Sequence, residues 1–151
     1  MRITVTGATG FIGKSLVKAL DKTDWEIYPT PHRWQHDLRE AEIAYGCVAS
    51  ADVVFHCAGV TTGSGAAGAG GRALVVDNMR LALSVFEACA RAGVKKLIAM
   101  SSTTGYPDLP WPLKEEEYFV NNVHPAYQHV GESKRFIERV SAMYPELEVT
   151  F

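Results

Sequence analysis

Apolar residues along this chain follow two alternating rhythms. Short runs rich in β-branched and aromatic residues are separated by longer stretches in which apolar positions return every three or four residues. Residues 3–6, Ile-Thr-Val-Thr, form the first run. Gly-Ala-Thr-Gly follows at once, and then a helical stretch over 11–20 with Ile12, Leu16, Val17 and Leu20 on one face. A second strand is predicted over 25–28, stopped by Pro29 and Pro31. The third, over 52–57, reads Asp-Val-Val-Phe-His-Cys and is apolar enough to be buried on both faces. A long helix over 73–92 carries Leu74, Leu81, Val85 and Ala88 on one side and ends at Gly93. A strand over 96–101, a helix over 126–143 and a last strand over 148–151 complete the pattern. Between them, residues 63–71 hold five glycines and three alanines and read as a flexible surface loop. The three prolines of residues 106–112 mark another loop.

Strands separated by connections this long must pair in parallel through right-handed crossovers. The predicted architecture is therefore α/β, a doubly wound parallel sheet of the Rossmann type in a single domain spanning 1–151. The pattern ends inside a strand with no helix after it, so a missing C-terminal, substrate-binding portion is expected. Fifteen basic against seventeen acidic side chains give a net charge of −2, which lacks the basic footprint of a nucleic-acid binder. No run approaches the ~18 apolar residues needed to cross a bilayer, and the first residues, Met-Arg-Ile-Thr-Val, carry no secretory signal. Cys47, Cys57 and Cys89 are odd in number and match no zinc or disulfide framework. They suit a reducing, cytoplasmic setting.

The strongest chemical signal is the G-x-x-G-x-x-G run Gly7-Ala8-Thr9-Gly10-Phe11-Ile12-Gly13, placed between the first strand and the first helix. Gly7 would allow the tight turn, Gly10 a close backbone approach to a pyrophosphate, and Gly13 close helix-to-strand packing. The helix start at Phe11 and Ile12 would then offer free N–H groups and a partial positive charge to phosphates. After the second strand, where NAD-preferring domains place a carboxylate, the chain reads Tyr28-Pro29-Thr30-Pro31-His32-Arg33. A guanidinium at Arg33 suits a 2′-phosphate, which favours NADP over NAD. Weaker groupings point elsewhere than to chemistry. His32, His36 and Asp37 lie among prolines and are not read as a metal site. Glu115 to Glu117 read as a solvated turn, and Cys57 as a small buried residue.

The octet Thr-Gly-Ala-Thr-Gly-Phe-Ile-Gly resembles the signature of the extended short-chain dehydrogenase/reductases, the NAD-dependent epimerase/dehydratase family acting on nucleotide sugars. The similarity runs down the chain. Asp37-Leu38 matches the family's acidic residue beside the adenine ring, and His56-Cys57-Ala58-Gly59 the cofactor-lining stretch after the family's fourth strand. Asn78 falls on the family's asparagine in the long helix. Ser101 and Ser102 lie in the segment that supplies the catalytic serine. Counting back four residues from Tyr106-Pro107, as in GDP-fucose-synthase-like members, gives that role to Ser102. Ser133-Lys134 resembles the end of the Y-x-x-x-K motif, which makes Lys134 its lysine, holding the nicotinamide ribose and lowering the tyrosine pKa.

One departure from the pattern matters. Four residues before Lys134 stands Val130, which has no proton to give. Tyr127, three residues earlier, could reach the site from one turn up if the helix has already begun there. Otherwise the donor is another group, or Tyr127 merely packs at a helix start and tyrosine chemistry is absent. The resemblance implies an NAD(P)-dependent nucleotide-sugar epimerase, dehydratase or reductase, or a broader carbonyl reductase, moving a hydride at a carbon of its substrate. The alternative is a non-catalytic NAD(P)-binding or sensing module. As an isolated piece the 151 residues are expected to be inactive. Family members commonly pair through the two long helices, so a homodimer is expected, with Leu81, Val85 and Phe136 as seam residues.

Overall fold

The computed structural model describes residues 1–31, 36–61 and 71–151. Five strands, β1 (Arg2–Thr6), β2 (Glu26–Pro29), β3 (Val53–His56), β4 (Lys96–Ala99) and β5 (Glu148–Thr150), form one sheet in the order β2-β1-β3-β4-β5. Every pairing is parallel, as the long connections require. The helices are α1 (Phe11–Leu20), α2 (Ala41–Val48), α3 (Asn78–Ala92) and α4 (Gln128–Ser141).

Side-chain alternation in the strands divides the core. Ile3 and Val5 of β1 join Ala8 and Leu20, with Leu16 and Val17 of α1 and Val53 and Phe55 of β3, on one face. Val54 and Leu97 turn to the other face, where α2, α3 and α4 close over them with Val48, Val85, Phe86 and Ile137. The predicted periodicity of α1 thus packs Leu16, Val17 and Leu20 on the sheet, while Ile12, at the open end of the helix, is half-exposed.

Four details differ from the sequence expectation. Strand β2 runs through Pro29, which pairs with Val5, because β2 is an edge strand and a missing N–H there can face outward. The predicted long helix starts as a five-residue π-turn, Ala73–Asp77, before α3 proper. Gly93 does end it, in the left-handed conformation at φ 69°, with Val94 N–H donating to Cys89 O at 3.0 Å. Helix α2 carried no recognised periodicity over its eight residues, yet it buries Ala44 and Val48. Finally, the stretch 56–59 follows the third strand of this chain, since no strand forms between β2 and α2 among the described residues.

Strand order reverses direction at β1: α1, which follows β1, covers one face of the sheet, whereas α2 and α3, which follow its neighbours β2 and β3, cover the other. Open α/β sheets bind ligands outside the carboxyl ends of the strands at such a switch point.

Candidate functional site

At the carboxyl end of β1 the chain turns sharply. Gly7 adopts φ 66°, and a Cβ there would lie 2.6 Å from the Ala58 backbone. Gly10 N–H closes the turn on Gly7 O at 2.9 Å. A Cβ on Gly13 would lie 2.2 Å from Gly7 O, so only glycine lets α1 sit this close to the turn. Gly10 is different: its Cβ would meet Gly7 O at 3.2 Å, a tight but adjustable contact. Gly10 caps α1 with no side-chain hydrogen bond, and the first turn holds no acidic residue. The amides of Phe11 and Ile12 open a helix whose first N–H groups have no intrahelical partner, and both side chains stand exposed. An uncapped, carboxylate-free helix start behind a turn of bare backbone fits a pyrophosphate.

From this turn a cleft of about 200 Å³ extends along the strand ends. Of the residues predicted to bind cofactor, Gly7, Thr9, Gly10, Asp37, Leu38, Cys57, Ala58 and Gly59 all line it. Arg33 lies outside the described residues. Asn78 shapes the cleft from behind: its side-chain oxygen accepts from Val60 N–H at 2.8 Å, and its amide donates to Val60 O and Leu74 O, both at 2.9 Å. Sequence reasoning missed Val60, Leu81 and Arg39 as lining residues. Arg39 is held by Asp37, with Nη2 to Oδ2 at 2.6 Å, and by Asp77 at 3.0 Å, which stabilises its charge further. Its signal was the charge alternation Asp37, Arg39. Cys57 is half-buried and its thiol pKa is raised by that burial, so it stays protonated rather than nucleophilic.

The carboxyl end of β4 builds a second region. Ser101 and Ser102 line a cavity of about 450 Å³ with Tyr106, Tyr118 and Glu138. Ser102 Oγ caps the short turn Thr103–Gly105, accepting from Thr104 N–H at 3.3 Å and lying 2.9 Å from Thr104 Oγ1. Ser101 Oγ donates to the Glu138 carboxylate and lies 3.1 Å from the Tyr118 hydroxyl. Burial pushes the Tyr118 pKa up to about 12, so this phenol is neutral. Neither Tyr118 nor Glu138 was anticipated, although Glu138 stands one helical turn beyond Lys134. Lys134 is itself lowered in pKa by burial, against the raising influence of Glu138. It also adds to the burial that drives His56 down to about 4. Thr6 Oγ1 accepts from Ala58 N–H at 3.3 Å and lies 2.8 Å from His56 Nδ1, which ties the neutral imidazole to β1.

The register of α4 is fixed independently. Gly131 presses on the Thr103–Gly105 turn so closely that a Cβ would lie 2.2 Å from Thr104 O. The buried Arg135 guanidinium donates to Gly105 O at 2.7 Å, Asn121 O at 2.6 Å and Val120 O at 3.2 Å. Val130 therefore stands at the helix start beside this turn. Tyr127 does not share its helical face. It ends a separate turn, Pro125–Tyr127, capped by His124 Nδ1, and takes φ −121°, ψ 12° before α4 begins. Its ring is 38% exposed, lies 5.7 Å from the His124 ring, and lines neither cavity. The helical condition for its reach toward Lys134 is thus not met, because Pro125 nucleates a tighter turn than the α-helix. The predicted acidic turn is present at Glu115–Glu117, where Glu117 accepts from Lys114 N–H and Trp111 Nε1–H.

A glycine cradle at the switch point of a parallel sheet, continuing into a cleft with an acid at its far end, defines a dinucleotide-binding Rossmann domain of the NAD(P) type. The chain belongs to the NAD dependent epimerase/dehydratase family, whose model matches residues 3–147. It is 35% identical over 117 residues to a GDP-L-fucose synthase from Azorhizobium caulinodans, covering 76% of this chain and 37% of that protein. A GDP-L-colitose synthase from Yersinia pseudotuberculosis is 28% identical over 109 residues, covering 71% of this chain and 35% of the relative. The chain thus spans little more than a third of the length of these curated relatives. Among solved structures, a GDP-L-fucose synthetase from Naegleria fowleri bound to NADP superposes with a TM-score of 0.83 at 22% identity, over 99% of this chain and 51% of that one.

Proposed function

We propose that this chain is the cofactor-binding portion of an NADP(H)-dependent enzyme that exchanges a hydride at a carbon of a nucleotide-linked sugar. The observation that carries the reading is the uncapped, carboxylate-free start of α1 behind Gly7 and Gly10, opening into a cleft that ends at Asp37. The bound nicotinamide supplies or accepts the hydride. The chain's own residues do the rest. Backbone amides at Phe11 and Ile12 hold the pyrophosphate, which the bare backbone at Gly10 lets approach, Asp37 and Leu38 meet the adenine, and Arg33 meets the 2′-phosphate. Lys134 holds the nicotinamide ribose and Ser102 donates to the reacting oxygen; in this reading Tyr127 is the proton donor, which requires its exposed turn to close toward Lys134. The names of the relatives, two of them GDP-sugar synthases, support a nucleotide-sugar substrate. Among the described residues no helix is long and apolar enough to cross a membrane, and Cys47, Cys57 and Cys89 are free thiols, which suits a cytoplasmic enzyme. For the homodimer, half-exposed Phe136 remains a seam residue. Val85 is fully buried in the chain's own core and Leu81 faces the dinucleotide cleft, so neither belongs to the seam.

A second reading, a dinucleotide-binding module without tyrosine chemistry, is favoured by one feature: Val130 beside Gly131, with Tyr127 in a separate exposed turn. Turnover separates the two, followed as loss of NADPH absorbance with nucleotide-linked keto sugars on the protein carrying this chain. Under the enzyme reading Tyr127→Phe lowers the rate by about a hundredfold, the usual scale of acid–base catalysis, and Val130→Tyr gains little. A silent Tyr127→Phe together with activity created by Val130→Tyr would establish the second reading instead.

A further inference from the structure

The cavity at the carboxyl end of β4 is lined by hydroxyls, aromatic rings and negative charge. Its volume is about 450 Å³, and the charged groups among the described residues that line it are two carboxylates, Glu115 and Glu138. Ser101, Ser102, Thr103, Tyr106 and Tyr118 all bring hydroxyls to it. The Tyr118 phenol is neutral, since burial pushes its pKa up to about 12. Tyr118 also meets the rings of Tyr106 and Phe119 edge to face, with centroids 4.9 and 5.0 Å apart, which makes one wall a fixed aromatic corner. The neighbouring cations are committed elsewhere and none lines the cavity. Arg135 donates to three backbone carbonyls, and the Arg139 guanidinium lies 4.9 Å from the centroid of the Phe119 ring. Lys134 stands one turn before Glu138 on α4.

A neutral sugar ring suits such a lining. Its hydroxyls exchange hydrogen bonds with hydroxyl side chains, and its C–H faces pack on aromatic rings. An anionic sugar does not suit it. A carboxylate entering here would meet like charge from Glu115 and Glu138, and would give up hydration with no lining cation to replace it. This repulsion acts through space, so it holds although Glu138 already accepts from Ser101. We propose that the cavity seats the sugar beside Ser102, and that Glu115 and Glu138 select neutral sugars against those carrying a carboxylate. The inference rests on the nucleotide-sugar reading given above and names the class of sugar.

The probes are GDP-mannose and GDP-mannuronate, which differ only in carrying a hydroxymethyl group or a carboxylate on the same sugar carbon. Calorimetric affinities of both are compared for the protein carrying this chain and for its Glu115→Gln, Glu138→Gln and double variants. The unaltered protein should prefer the neutral sugar by about a hundredfold, roughly tenfold for each carboxylate facing the ligand across a partly wet cavity. Each single variant should cut the preference to about tenfold, and the double variant to less than about threefold. Glu115 is exposed, so its variant folds whatever Glu138→Gln does to packing. Because the selection is electrostatic, the preference should also shrink when the salt rises from about 0.05 to about 0.5 M. A preference unchanged in the variants overturns the proposal, as does one indifferent to salt. An equal change in both ligands overturns it too, by marking the glutamates as structural. Equal affinities in the unaltered protein, or tighter mannuronate, sink the proposal while leaving the nucleotide-sugar reading in place. Binding of neither ligand would refute that reading, and the proposal with it.

Discussion

The two ends of this molecule's strand-end surface are built from different materials. At β1 the groups that face a ligand are main-chain atoms, the amides of a turn in which side chains are excluded by contacts of 2.2–2.6 Å at Gly13 and Gly7. At β4 they are side chains, Ser101, Ser102, Tyr118 and Glu138, delivered by a turn and by a helix and held together by Arg135. A backbone site is specified once the turn and its glycines are specified. A side-chain site depends on every position around it, and a single replacement such as Val130 changes its chemistry without disturbing the fold. The cradle presents backbone alone to a ligand, whereas the β4 end has Ser101 and Ser102 beside a helix that carries Lys134 but no phenol on the face where Lys134 stands.

The largest expected break comes from adding one methyl group to the cradle. In Gly13→Ala the new Cβ would have to displace Gly7 O and the Ala8 backbone, which are strand-linked and cannot rotate away. We expect a loss of roughly 4 kcal/mol or more in denaturant unfolding, at the upper end for single substitutions. A Gly13→Ala protein as stable as the original would show that the turn relaxes, and the contrast between the two ends would disappear.

A smaller effect lies between the two ends, at His56, which touches Thr6 on β1 and senses Lys134 on α4. Burial lowers its pKa from 6.5 to about 4, so the folded protein binds fewer protons than the unfolded chain between those values. The stability this neutral histidine permits is complete above pH 6.5 and is lost as the pH falls toward 4. Between pH 7 and pH 4.5 the loss amounts to about 2 kcal/mol. Unfolding free energies at pH 7 and pH 4.5 measure it, and His56→Gln should flatten the slope by about that amount. Equal slopes in both proteins would refute the assignment.

Legibility in the sequence followed the same division. The parallel sheet, the glycine turn and the end of α3 at Gly93 could be read because each depends on local periodicity or on a backbone conformation that glycine alone tolerates. Helix α2 could not, since eight residues with Ala44 and Val48 as their only buried positions carry too little period. Pro29 seemed to end β2, because whether a strand lies at a sheet edge is not a property of the strand. The exposed turn at Tyr127 was hidden for a related reason: Pro125 is compatible with both an α-helix start and a tighter turn. Glu138 and Tyr118 reach Ser101 across 37 and 17 residues, distances over which no sequence period speaks. Arg39 shows only its local pairing with Asp37 in the sequence, since its second partner, Asp77, lies on another element.

Calorimetric titration of NADPH into the protein and into its Gly10→Val variant tests the central claim, that the β1 end is a backbone-built dinucleotide site. Gly10 has more room than Gly7 or Gly13, with Gly7 O at 3.2 Å as the one contact of its added Cβ, so the variant should fold with nearly unchanged stability. Its valine methyl groups would stand in the path of the pyrophosphate. The account predicts that NADPH binds the unaltered protein, more tightly than NADH does, and that Gly10→Val weakens it by about a hundredfold or more, the scale of a blocked phosphate approach worth roughly 3 kcal/mol. Unchanged NADPH affinity in a folded Gly10→Val protein would contradict it.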